Sequence, residues 1–116
     1  LHDALPIYEK IKLEKDLILK KISDKDYLII FDENGKILPD SRKFSKDLES
    51  VFNLGKKNIV FLIGGSYGFD DQVKERSDKM ISLSNLTMNH HVAKVVALEQ
   101  IYRAICIQKN IPYHND

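Results

Sequence analysis

A chain of 116 residues is long enough for one domain with a working core and too short for two. Its 18 Lys and Arg against 17 Asp and Glu leave a formal charge of +1, which excludes a polyanion binder acting through bulk charge. With 43% hydrophobic and 30% charged residues, the composition excludes wholesale disorder.

The first half is densely charged, with twelve basic and eleven acidic side chains in residues 1–58 against six of each in 59–116. Chemistry needs a partly dry site, so the second half is the place to look for one. The single Cys106 excludes an internal disulfide and a zinc site of several thiolates; no metal is expected. Cys106 sits in an apolar helical pattern and reads as a small buried hydrophobe. No apolar run approaches the roughly 20 residues needed to cross a bilayer. The first twenty residues mix charges as no signal peptide does, so a cytoplasmic location is expected. Residues 1–116 read as one domain, in which Leu1–Ile7 fit no pattern. A start on Leu1 rather than Met suggests a fragment.

In chain order, Tyr8, Ile11, Ile18 and Ile22, with Leu17 beside them, recur at helical spacing and predict an amphipathic helix ending near Lys21–Ser23. Tyr27–Phe31 is a short, nearly continuous apolar run, as in a strand buried on both faces. Asp32–Lys36 supplies turn chemistry. Asp40 or Ser41 can cap a second helix with an inner stripe of Phe44, Leu48, Val51 and Phe52, closed by Gly55. Asn58–Ile63 is the strongest strand signal, and it runs straight into the glycines of Gly64–Gly68. Asp70 and Asp71 open a short third helix carrying Val73. Met80–Ser84 alternates like a strand and leads to the polar bend Asn85–Asn89. A long helix from His90 to Lys109 follows, with Val92, Val95, Val96, Ile101, Tyr102 and Ile105 on or near its buried side. Residues 111–116 show no regular pattern.

Strands alternating with helices imply an α/β fold with a mostly parallel sheet, and in such sheets ligands lie beyond the carboxyl ends of the strands. Two loops fit that position. Gly64–Gly68 leaves backbone N–H groups bare and permits close approach, but its G-G-x-x-G order is neither the dinucleotide fingerprint nor a Walker sequence. It reads equally as a ligand loop or a tight strand-to-helix turn. Leu83–Met88 interleaves polar backbone with Leu83, Leu86 and Met88, a pattern able to sandwich an adenine; the alternative is a plain loop with Leu86 plugged into the core. His90 and His91, adjacent at a helix start, point in different directions and make a poor metal pair. Glu99 and Arg103 at i,i+4 are explained by a helix-face ion pair, although a guanidinium also suits phosphate.

Four segments carry a resemblance: Phe61–Phe69, Leu83–His90, Val95–Ala104 and Pro112–His114. Together they resemble the RlmH family, SPOUT-class RNA methyltransferases that act on N3 of a pseudouridine in 23S ribosomal RNA. The resemblance runs over about residues 14–116. It implies a sheet whose C-terminal part, residues 58–116, is threaded into a trefoil knot. It also implies S-adenosylmethionine bound in that knot and a homodimer with sites near the subunit interface, working on the ribosome without metal or membrane. Carried over by position, the implied cofactor contacts are Phe31, Gly64, Leu83, Ser84, Asn85, Leu86, Thr87 and Met88. The chain departs from the family pattern in lacking an N-terminal strand and helix. It also has Phe31 for a usual leucine, Lys94 for an arginine, His91 for a glutamine, and Asn115-Asp116 where a basic residue is common.

Methyl transfer to a pseudouridine N3 requires loss of its proton, for which a neutral histidine is suited. His90 or His114 fills that role in this reading, with Arg103 and Lys94 holding phosphate or developing charge. Two other accounts stand beside it: a non-catalytic remnant that binds cofactor or RNA without turnover, and a phosphate-binding α/β enzyme using Gly64–Gly68.

Overall fold

The computed structural model describes residues 6–64 and 67–116. Its elements run α1 (Ile7–Lys21), β1 (Asp26–Ile37), α2 (Ser41–Phe52), β2 (Asn58–Ile63), α3 (Asp71–Arg76), β3 (Lys79–Ser82) and α4 (His90–Gln108). The strands form a parallel sheet in the order β2-β1-β3, with Asp26 to Phe31 registered on Asn58 to Ile63 and Ile29 to Phe31 on Lys79 to Ile81.

The apolar run in β1 follows from its central place. Side chains alternate across a strand, so both parities must be apolar when both faces are covered. Ile29 and Phe31 meet Phe44 and Leu48 of α2 and Ala97 and Ala104 of α4. Leu28 and Ile30 meet Val73 of α3, with Ile18 and Ile22 packed against them. The result is three layers, helices on each side of the sheet. The starts of α2, α3 and α4 are each held by a side chain: Asp40 accepts from the N–H of Lys43 at 2.8 Å, Asp70 from Gln72 at 2.7 Å, and Asn89 from His91 at 2.9 Å. Buried polar groups are partnered as well. Ser45 Oγ donates to the Ala104 carbonyl at 2.7 Å, tying α2 to α4. Asp26 accepts from Ser23 N–H and from Asn58 Nδ2, and those bonds, Ser23 first, hold its carboxyl below the usual carboxylate range.

Three expectations are corrected. Asp32–Lys36 does not end the strand: Phe31 and Lys36 both register on Ile81, so the turn residues bulge out of a ladder that resumes afterwards. The turn chemistry is spent inside that bulge, where Asp32 Oδ1 accepts from Asn34 N–H at 2.9 Å. The buried face of α4 is also different. Val92, Val95 and Tyr102 are exposed, together with Leu98, while Ala97, Ala104 and Cys106 are buried. Small residues let α4 approach α2 closely, Ile101 packs against the core as expected, and Val92, Val95, Leu98 and Tyr102 are turned outward. Finally, Tyr8 and Leu17 of α1 and Phe52 of α2 are exposed; α1 reaches the core through Ile18 and Ile22. Cys106 is buried as expected.

Candidate active site

Because the three strands are parallel, Ile63 and Ser82, the last residues of β2 and β3, lie along one edge of the sheet with Phe31, where β1 enters its bulge. A cleft of about 390 Å³ opens there, bounded by the β1 bulge, the segment after β2, the bend after β3 and the start of α4. That volume lies within the range of small-molecule sites.

Each wall has a local cause. At Gly64 a Cβ would fall 3.1 Å from the Phe69 ring, so a side chain there would press on a residue packed against the Leu28, Ile30 and Val73 cluster. Gly68 takes φ +76°, a conformation that side chains disfavour. Gly65 and Ser66 of the expected glycine loop lie outside the described residues. The bend after β3 is shaped by its serines: Ser82 Oγ donates to the Ser84 carbonyl, and Ser84 Oγ accepts from Leu86 N–H, both at 3.0 Å. Leu86 is 76% exposed, so it does not plug the core.

Of the eight residues expected to contact cofactor, seven line the cleft: Phe31, Gly64, Leu83, Ser84, Leu86, Thr87 and Met88. Asn85 is exposed and is not among the lining residues. The Phe31 side chain is buried, stacked on Phe61 and edge-on to Phe44. His90 lines the cleft too. Its ring lies 4.0 Å from that of His91, against the expectation that the two diverge. At the first helical position no preceding turn restricts χ1, which lets the rings meet. Among the described residues, no group of three or more His, Cys, Asp or Glu could hold a metal ion, and no helix is long and apolar enough to cross a membrane.

Sequence reasoning passed over Asp32, Glu33 and Lys74, which also line the cleft, and named Tyr67 only as part of the Gly64–Gly68 loop. Asp32 and Glu33 are read in sequence as turn residues, and their place at the carboxyl end of a central strand is the signal that could have found them.

Arg103 and His114 lie elsewhere. Arg103 is thirteen positions after His90 on α4, about 20 Å at the helical rise. Its Nη2 meets Glu99 Oε2 at 2.6 Å, the ion pair expected from spacing. Tyr113 OH donates to the same oxygen at 2.8 Å, and the Tyr113 ring lies 4.8 Å from the guanidinium carbon. Arg103 first, then Tyr113, holds the Glu99 carboxyl below its usual range, and the bond to Glu99 raises the Tyr113 hydroxyl. Arg103 Nη1 approaches His114 Nδ1 at 3.1 Å, and His114 Nε2 approaches Asp116 Oδ1 at 2.9 Å. A guanidinium can only donate, so Nδ1 is the acceptor and the His114 proton sits on Nε2, directed at the carboxylate. The imidazole lone pair of His114 is therefore already engaged. Arg42 grips Asp116 from the other side, Nε to Oδ1 and Nη2 to Oδ2, both at 2.8 Å, and with His114 holds its carboxyl down at about 2. Arg42 and Asp116 are far apart in sequence, and no local pattern pairs them.

A family model described as "Predicted SPOUT methyltransferase" matches residues 2–114. Several curated proteins named "Ribosomal RNA large subunit methyltransferase H" are similar. The one from Bdellovibrio bacteriovorus is 48% identical over 102 residues, 88% of this chain and 65% of that protein. The one from Flavobacterium psychrophilum is 46% identical over 102 residues, 88% of this chain and 64% of that protein. The one from Enterococcus faecalis is 44% identical over 114 residues, 98% of this chain and 70% of that protein. The chain thus spans just under two thirds of the first two proteins' length.

Proposed function

The chain belongs to the SPOUT methyltransferase family, and from that premise we propose that it methylates N3 of a pseudouridine in 23S ribosomal RNA, with S-adenosylmethionine as donor. The observation that carries the reading is the meeting of Gly64 and the Leu83–Met88 bend in one cleft at the carboxyl edge of the sheet. The names of the similar proteins support the RNA substrate. In this reading the C-terminal part threads into the family's trefoil knot, and the enzyme works in the cytoplasm, where ribosomes are assembled.

The cleft suits the cofactor's chemistry. Leu83, Leu86 and Met88 offer apolar surface to an adenine, main-chain groups of the bend can meet its polar edge, and the Asp32 and Glu33 carboxylates complement a cationic sulfonium and ammonium. When bound, S-adenosylmethionine supplies an electrophilic methyl group. The protein's part is to align the acceptor and take its proton. His90, in the cleft, is the base in this reading. His114, with its lone pair turned to Arg103, is a binding group together with Arg103, while Lys94, exposed one turn after His90, meets RNA phosphate. Titration calorimetry with S-adenosylmethionine, followed by transfer of labelled methyl to ribosomes, tests this. Saturable binding with transfer is expected; binding without transfer turns the reading into the non-catalytic remnant, and absence of binding overturns it.

The exposed apolar face of α4, Val92, Val95, Leu98 and Tyr102, supports a homodimer. The roughly 20 Å between His90 and Arg103 within one chain gives the dimer a purpose: antiparallel pairing of two α4 helices brings the Arg103 end of one chain toward the His90 end of the other. Sedimentation equilibrium is expected to give twice the chain mass, and a monomer at micromolar concentration would rule the pairing out.

A further inference from the structure

The Asp116 carboxylate is held by three converging donors. Arg42 provides two parallel bonds, Nε–H to Oδ1 and Nη2–H to Oδ2, both at 2.8 Å, and His114 Nε2–H adds a third to Oδ1 at 2.9 Å. A planar fork with an additional donor to one oxygen is the arrangement that recognises a tetrahedral oxyanion as readily as a carboxylate. The site is also prepared from behind. Arg103 fixes the His114 tautomer so that its N–H points outward, and Glu99 and Tyr113 hold Arg103 in place. His114 itself is mostly buried, at 15% side-chain exposure, so its direction is set by packing and bonding.

The anion now in the site is easily displaced. The Arg42 and Asp116 side chains are 55% and 67% exposed, and an ion pair so open to water contributes little to holding the chain in place. We propose that Arg42 and His114 form a phosphate-binding site for the RNA backbone, which the chain's own Asp116 carboxylate occupies until a phosphodiester replaces it. The site lies on α2 and the segment after α4, and none of its residues lines the cleft, so its contribution is to register and affinity. Asp116 acts as a competitor present on the same chain, lowering affinity for stray phosphates and leaving a polyanion that makes other contacts able to win the exchange. The proposal rests on the functional reading above only in taking RNA as the source of the phosphate.

The test compares the unmodified protein with Asp116→Asn and with Asp116→Asn/Arg42→Ala, all at exposed positions. Binding of a fluorescent oligouridylate is measured across a salt series, and the Arg42 Nε–H resonance is followed while oligouridylate or inorganic phosphate is added. Asp116→Asn is expected to tighten oligouridylate binding several-fold and to steepen the log–log salt slope by about 0.7, the increment for one phosphate contact to a single strand. Arg42→Ala is expected to cancel both gains. A shift of the Arg42 resonance with oligouridylate well below the concentration at which inorganic phosphate acts supports the RNA backbone as the ligand; equal response to both reduces the site to one for free phosphate and overturns the RNA assignment. An unchanged affinity in Asp116→Asn, or a gain that survives Arg42→Ala, overturns the site. Calorimetry with S-adenosylmethionine on the same three proteins is independent of Arg42, so loss of cofactor binding there would indict the methyltransferase reading and leave the phosphate result to stand by itself.

Discussion

In His90→Ala, single-turnover methyl transfer to ribosomes is expected to fall by about 10²–10⁴-fold, the range for removing a general base, while affinity for S-adenosylmethionine shifts by a few fold at most. The acceptor nitrogen carries a proton between two carbonyls and is a poor nucleophile until that proton leaves. Of the two histidines considered for the base, His90 lines the cleft, whereas His114 has its basic nitrogen turned to Arg103 and its N–H to Asp116. The paired variant His114→Ala separates the roles: it is expected to raise the RNA concentration needed for half-saturation and to leave the rate at saturation within about tenfold. Should His90→Ala keep full activity while His114→Ala abolishes the rate at saturating RNA, the assignment is reversed.

The second large effect is expected at Gly35, where the β1 bulge crosses β3. A Cβ at this position would lie 2.7 Å from Ile81 N, Ile81 C and Met80 C, all main-chain atoms that cannot rotate away. Relief requires β1 and β3 to part. Gly35→Ala is therefore expected to destabilise the fold by about 3 kcal/mol, the upper part of the overpacking range, and so to lower the melting temperature by roughly 12 °C for a domain of this size. The same movement displaces Leu83 and Ser84, which follow β3 directly, so cofactor affinity is expected to drop with stability. Differential scanning calorimetry and cofactor titration check both, and a melting temperature within 2–3 °C of the unmodified protein would show that the crossing is soft.

These two sites also show where sequence reading succeeds and where it stops. The strand cores Tyr27–Phe31 and Asn58–Ile63, the cap at Asp40 and the bend at Leu83–Met88 are legible because each is a local pattern: a short continuous apolar run, a capping oxygen, polar backbone interleaved with apolar side chains. Gly35 is read locally as turn chemistry because nothing in Asp32–Lys36 reveals that Ile81 passes against it. The face of α4 misleads for a related reason. The helix is apolar nearly all round, so the 3.6-residue period cannot say which stripe goes inward. That choice is made by α2, whose Ser45 bonds the Ala104 carbonyl and demands small neighbours. Likewise Glu99 with Arg103 is visible at i,i+4, while Arg42 with Asp116 depends entirely on where the chain returns. The cleft residues Asp32 and Glu33 belong to the same class, acquiring chemical meaning only when the strand order sets β1 between β2 and β3.

That strand order also bears on how the molecule assembles. The middle strand pairs with neighbours that are remote along the chain, Asp26 with Asn58 and Ile29 with Lys79, and both pairings are parallel. Among the described residues no hairpin joins two strands of the sheet, so each of these ladders must wait for a long intervening loop to close before any backbone bond rewards it. Folding kinetics should thus be governed by loop-closure entropy: local helical turns flicker early, and the central strand acquires its partners late, close to the rate-limiting barrier.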